Sequence, residues 1–149
     1  MNYLKLLKKM GDTRRFHITA EFIQRNYPKA NSILCVADGK GDLARILQKQ
    51  GRNAQIIDPV YNGLFFTRDW KHKCDLIVGL HPDEATAEIV LAGEKLIIPY
   101  LIVPCCVKGQ EAKDVRGLNQ WYDKLYRLSG YTLRQTQLPF KGANIIMFK

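Results

Sequence analysis

The sequence predicts an α/β protein: a mostly parallel sheet of about six strands covered by helices on both faces, with an antiparallel C-terminal hairpin strand. Three observations predict it. Short apolar runs at residues 32–37, 54–57, 75–80 and 99–104 alternate with segments of helical spacing, the pattern of a buried parallel sheet. The first run leads into a glycine turn, Asp38-Gly39-Lys40-Gly41, that opens a helix. Two alternating runs at 131–137 and 143–148 close the chain around a short loop at 138–142, so they pair antiparallel.

Each element follows in order. Tyr3, Leu6, Leu7 and Met10 recur at helical spacing with lysines between them, and Gly11-Asp12 ends that turn. Residues 13–26 form a second helix with Phe16, Ala20, Phe22 and Ile23 apolar, stopped by Pro28. After the first strand and the glycine turn, residues 42–50 place Leu43, Ile46 and Leu47 on one helical face, closed by Gly51. The second strand ends in Asp58-Pro59. Residues 60–74 are mixed and aromatic. The third strand ends at Leu80, and His81-Pro82-Asp83 opens a helix to about Lys95, with Pro82 in its first turn. The fourth strand leads into Cys105-Cys106. Asp114 caps a helix carrying Val115, Leu118, Trp121, Tyr122, Leu125 and Leu128, ended by Gly130. Right-handed crossovers and the closing hairpin give a strand order of 2-1-3-4-6-5. The whole of 1–149 reads as a single minimal domain, with 1–28 as its N-terminal helical segment.

Composition narrows the function. Lys and Arg number 23 against 14 Asp and Glu, a net charge of +9. Such an excess favours polyanionic partners, nucleic acid first and a membrane surface or anionic metabolite behind. No run approaches the ~20 apolar residues of a membrane span, and the first ten residues carry no apolar run of signal-peptide length. A cytoplasmic protein without a membrane partner is expected. The four cysteines, Cys35, Cys74, Cys105 and Cys106, form no C-x-x-C pair, so no metal site is expected from spacing. They fit a reducing compartment.

The chemistry-bearing residues fall at strand tips. The glycine turn lets a ligand approach the backbone, and Asp58, 17 residues beyond Gly41, can accept ribose hydroxyls. The third glycine of the dinucleotide fingerprint is absent, and so is the phosphate-loop sequence. Here the chain resembles class I S-adenosylmethionine-dependent methyltransferases. Gly39-Lys40-Gly41-Asp42-Leu43-Ala44 matches the second half of their first motif, whereas Ala37 stands at a glycine position and Cys35 at the usual acid. A narrower likeness rests on Gly79-Leu80-His81-Pro82-Asp83-Glu84-Ala85-Thr86 followed by Val103-Pro104-Cys105-Cys106. It points to a methyltransferase-like branch with a Leu-His turn and a Pro-Cys-Cys strand end, to which a eukaryotic tRNA 2′-O-methyltransferase family belongs.

The resemblance, which spans about residues 30–149, implies a Rossmann-like methyltransferase sandwich with S-adenosyl-L-methionine as cofactor. It implies Ala37, Asp38, Gly39, Lys40, Gly41, Asp58, Pro59 and Leu80 as cofactor-binding. His81 is the candidate base by its titration range, with Asp83 and Glu84 orienting it or binding substrate. Arg14, Arg15, Cys105 and Cys106 are candidate substrate-binding residues. The 16 residues from Pro59 to Cys74 cannot hold the usual helix, strand and helix, since a helix alone averages about 11 residues. One edge strand is therefore expected to be missing. The adenine side is then covered by Tyr61, Phe65, Phe66 and Trp70, or by a second subunit in a homodimer. The competing readings are a small-molecule methyltransferase and a non-catalytic cofactor-binding or RNA-binding module.

Overall fold

The structure is a computed structural model and describes residues 12–149. The helix expected around Tyr3 to Met10 lies outside the described residues. Helix α1 (Arg15–Asn26) is followed by β1 (Ser32–Val36), α2 (Asp42–Lys49), β2 (Asn53–Ile57), a single helical turn α3 (Pro59–Asn62) and β3 (Leu76–Leu80). Then come α4 (Thr86–Leu96), β4 (Tyr100–Val103), α5 (Leu118–Leu128), β5 (Arg134–Gln137) and β6 (Ile145–Phe148). The six strands form one sheet in the order β2-β1-β3-β4-β6-β5. The first four are mutually parallel, and β6 runs antiparallel to both β4 and β5. This is the expected order. No strand forms between Ile57 and Leu76, so β2 is an edge of the sheet.

Alternation of side chains along the strands divides the core in two. Ile33 and Cys35 of β1 face α1 and α2, where they meet Ala20, Ile23, Leu43 and Leu47. Leu34 and Val36 face the opposite layer, with Ile89 and Val90 of α4 and Trp121 and Leu125 of α5. Helices on both faces bury the central strands β3 and β4 completely: all five residues of β3 and all four of β4 are buried. By contrast β5, the far edge, is exposed at all four residues.

Two helix starts differ from expectation. Pro82 does not begin α4. A 3₁₀ turn, Asp83–Ala85, comes first, because His81 and Asp83 both adopt left-handed backbone conformations, φ 53° and 50°, that an α-helix cannot contain. Asp114 caps no helix: α5 begins after Gly117, and the Asp114 carboxylate is 2.7 Å from the Lys124 ammonium instead. An ion pair ten residues along the chain is invisible to a capping pattern.

Candidate functional site

The carboxyl ends of β1, β2 and β3 surround a cavity of about 620 Å³, within the usual range for a small-molecule site. Val36, Ala37 and Gly39 line it from the glycine turn, and Ile57, Asp58, Pro59 and Val60 from the end of β2. Phe65, Phe66 and Thr67 close one side; Pro82, Asp83, Glu84, Ala85 and Glu88 close the other, and Lys108, Gly109 and Gln110 reach over from the loop after β4. A smaller hollow of about 340 Å³ at the other end of the sheet holds Glu94, already paired with Lys149.

The glycine turn is built for close approach. Ala37, Gly39 and Gly41 all have left-handed φ (55°, 57° and 83°). Gly41 also has no room for a side chain, since a Cβ there would overlap Ile56 Cδ1. Only glycine tolerates both conditions. Asp38 then folds back onto α2: its carboxylate accepts the Ala44 N–H at 2.9 Å and the Leu43 N–H at 3.4 Å. Burial outweighs these two bonds and pushes the Asp38 carboxyl up to about 6.

Asp58 ties the two strand tips together. One carboxylate oxygen accepts the Gly39 N–H at 2.9 Å; the other accepts from Val60 N at 2.8 Å and Tyr61 N at 3.1 Å, capping α3. A carboxylate has about four acceptor directions, so one remains for a ligand hydroxyl. Cys35, at the position of the family's usual acid, is buried against the α1–α2 layer, and burial raises its thiol pKa. No β1 carboxylate therefore reaches the cavity.

The other expected site residues are placed as follows. His81 does not line the cavity. Its Nε2 lies 2.8 Å from the Ala143 carbonyl oxygen, and its ring meets Phe140 edge-on. A nitrogen facing a carbonyl must carry the proton, which leaves Nδ1 as the basic nitrogen. Burial lowers the His81 pKa, partly offset by the Ala143 bond. Asp83 and Glu84 do line the cavity. Leu80 is buried in the sheet, and Lys40 lies outside the lining, its carbonyl accepting from Arg45 at 2.7 Å. Cys105 and Cys106 sit beside Asp83 with both thiols raised by burial, Cys106 to about 12. Neither is a thiolate nucleophile at neutral pH. Arg14 and Arg15 lie by the hairpin loop. Arg14 donates to both Asp12 carboxylate oxygens, and Arg15 lies over the Phe16 ring. Arg14 shares a groove with Phe140 and Lys141, apart from the cavity.

Phe66 is buried and stacks on Trp70 at 5.1 Å between ring centres, while Val60 and Phe65 stay 95% and 71% exposed. The aromatic cover of the missing-strand side is thus half built. Sequence reasoning missed Glu88 and Lys108. Glu88 follows Glu84 by four residues, a one-face spacing that was available as a signal. Arg68 clamps Glu88 and Glu111, each at 2.7 Å, and fixes that wall.

With Glu88 neutralised by Arg68, the cavity presents Asp58, Asp83 and Glu84 against one lining lysine, Lys108. Its charge suits a cationic ligand. The N-terminus of α2, where a dinucleotide's pyrophosphate binds in related folds, is filled by the Asp38 carboxylate.

No protein-family model matches the sequence, and no curated protein is similar to it. Solved structures are similar in fold. The mitomycin 7-O-methyltransferase MmcR superposes with a TM-score of 0.52 at 10% identity, over 89% of this chain and 52% of that one. The S-adenosylmethionine-dependent methyltransferase SibL gives 0.51 at 9% identity, over 91% and 54%. The fold is that of the Rossmann-like methyltransferases. This chain spans about half the length of each of these two chains. No helix among the described residues is long and apolar enough to cross a membrane.

Proposed function

We propose that the chain is an S-adenosylmethionine-dependent methyltransferase. One observation carries this reading: the glycine turn is held between two carboxylates, Asp38 turned back onto the start of α2 and Asp58 just beyond β2, and Asp58 lines an acid-lined cavity. That donor set fits a cofactor with a ribose and a positive centre but no phosphate. Asp58 holds the ribose through its remaining acceptor direction, and Ala37 and Gly39 of the turn with Pro59 form the floor beneath it. Phe65, Phe66 and Val60 supply apolar contact for the base. Asp83 and Glu84 face the positive centre.

When bound, the cofactor supplies an activated methyl group on sulfur, so the protein's task is alignment and proton removal. His81 Nδ1 takes the proton of the acceptor, with Nε2 anchored on Ala143 to fix ring and tautomer. With the ring held there and outside the cavity lining, the acceptor must itself reach Nδ1 beyond the cavity mouth.

RNA is our proposed acceptor, on the +9 charge. The acidic cavity admits only the reacting group of a nucleotide, while lysines and arginines outside it, Arg14 and Arg15 included, hold the backbone. The assay is transfer of labelled methyl from the cofactor to total RNA and, separately, to a metabolite extract. RNA affinity is expected to fall with salt at a slope of about −0.7 per phosphate contact for single strands, flattened in Arg14→Ala with Arg15→Ala. Cofactor binding without RNA binding at low salt moves the acceptor to a small molecule, the class that the name of MmcR gives for that enzyme. Cofactor binding with transfer to neither pool leaves a non-catalytic module.

A further inference from the structure

The tips of β3 and β4 bring Asp83 against the adjacent Cys105 and Cys106, more than twenty residues further along the sequence. Cys105 Sγ lies 3.5 Å from Cys106 Sγ, and Asp83 Oδ1 lies 3.5 Å from the first and 3.2 Å from the second. We propose that Asp83, Cys105 and Cys106 form a binding site for a thiophilic divalent cation of the zinc class, at the rim of the cavity.

The geometry supports this. Zinc bonds of about 2.3 Å to sulfur and 2.0–2.2 Å to oxygen, at tetrahedral angles, separate neighbouring ligand atoms by about 3.5–3.8 Å. The three separations, 3.2–3.5 Å, come within about 0.4 Å of one face of that tetrahedron. Asp83 also lines the cavity, so the fourth position is open, as in reactive rather than closed structural zinc sites. Two sulfurs in the set select zinc over magnesium or calcium.

The frame that holds these ligands is built from backbone. His81 N–H donates to Val103 O at 3.0 Å, joining the ends of β3 and β4. Asp83 is held in its left-handed conformation, and its carbonyl accepts the Thr86 hydroxyl at 2.8 Å. Gly109, φ 103°, lets the Cys-Cys loop settle on the Asp83 turn, where an added Cβ would lie 3.0 Å from Glu84 O. Lys108, the cation paired with Asp83 among the described residues, reaches Oδ1 only at 4.0 Å and is half exposed, so it swings into water when the metal enters. The earlier expectation of no metal rested on spacing along the chain, which cannot register a third ligand from another strand. Binding forms two S–metal bonds and one O–metal bond, and the two thiol protons pass to solvent.

This site does not rest on the methyl-transfer reading, but it shares Asp83 with it: a metal bound there leaves Glu84 to face the cofactor's positive centre. The test is titration of the metal-free full chain with cobalt(II), then zinc, in a phosphine reductant that keeps the thiols reduced without binding metal strongly. One cobalt per chain is expected, with thiolate-to-cobalt charge-transfer absorption that one equivalent of zinc abolishes. The Cys105→Ser, Cys106→Ser double variant is expected to lose the absorption, Asp83→Asn to bind at least about tenfold more weakly, and Cys74→Ser to behave as the unmodified chain. Should the double variant fail to fold, X-ray absorption on the unmodified zinc protein decides: two sulfur neighbours are expected. No charge-transfer band in the unmodified chain, a band that survives the double variant, a band lost with Cys74, or a zinc shell without sulfur overturns the proposal.

Discussion

The Asp38 carboxylate accepts the Ala44 N–H at 2.9 Å, so an anion of the protein itself occupies the N-terminus of α2. That position binds phosphate in dinucleotide folds because the helix start offers free N–H groups and a positive dipole end. Here those groups are already satisfied by a negative charge. The same sheet and glycine turn that suggest a nucleotide site therefore exclude a pyrophosphate from it.

Asp38 gives the first prediction. Its carboxyl is raised from 3.8 to about 6. A raised acid binds its proton more tightly in the folded chain, so its contribution to stability is fully present below pH 4 and is lost as pH rises through 6. The shift corresponds to roughly 3 kcal/mol. Asp38→Asn keeps an oxygen for the Ala44 N–H and removes the buried charge. Denaturant unfolding at pH 7.5 is expected to show the variant at least as stable as the unmodified chain, with its relative advantage shrinking toward pH 4. A variant whose relative advantage grows on acidification contradicts the assignment.

Gly41 gives the second. Its φ of 83° and the overlap an added Cβ would make with Ile56 Cδ1 act together. Gly41→Ala is expected to cost about 2 kcal/mol in urea unfolding, from backbone strain and displacement of Ile56. Gly51→Ala, which also has left-handed φ but meets nothing within 4 Å, should cost less. Equal costs at the two sites would show that crowding against β2 contributes nothing.

His81 gives the third. Burial lowers its pKa below 6.5, so the unfolded chain takes up the proton first as pH falls, and stability is lost from pH 6.5 downward through the folded value. Nuclear magnetic resonance of the ring should show Nε2 protonated and Nδ1 bare at pH 7. His81→Gln, which retains a donor for Ala143, should lower turnover by about 10²–10⁴ while leaving cofactor affinity intact. Unchanged turnover would remove His81 from the proton-transfer role.

The sheet was legible because its determinants are local and repeated. Runs such as 75–80 and 99–104 are continuous apolar segments of strand length, and the 138–142 loop leaves β5 and β6 no choice but to pair. The shortness of the 59–74 segment correctly removed a strand. The strand-tip detail was not legible, since it depends on backbone conformations that side-chain type does not encode. His81 and Asp83 turn left-handed without being glycine, which delays α4 to Thr86 and aims Asp83 at the two cysteines. Asp58 could be picked out as an acid at a strand end, but its three backbone donors come from two separate segments. Phe65 and Phe66 are identical in type, and only the fold buries one and exposes the other.

The most direct test is calorimetric titration of the full chain with S-adenosylmethionine and, in parallel, NAD, repeated in Asp58→Asn. Asp58→Asn keeps an oxygen to cap Val60 and Tyr61 but turns an NH2 toward the Gly39 N–H, so its unfolding is measured alongside; the charge-assisted bond to ribose, worth about 1.5–3 kcal/mol, is lost. The account predicts one S-adenosylmethionine per chain, no binding of NAD, and at least about tenfold weaker binding in the variant. Binding of NAD in place of S-adenosylmethionine, or unchanged S-adenosylmethionine affinity in a folded Asp58→Asn chain, would contradict it.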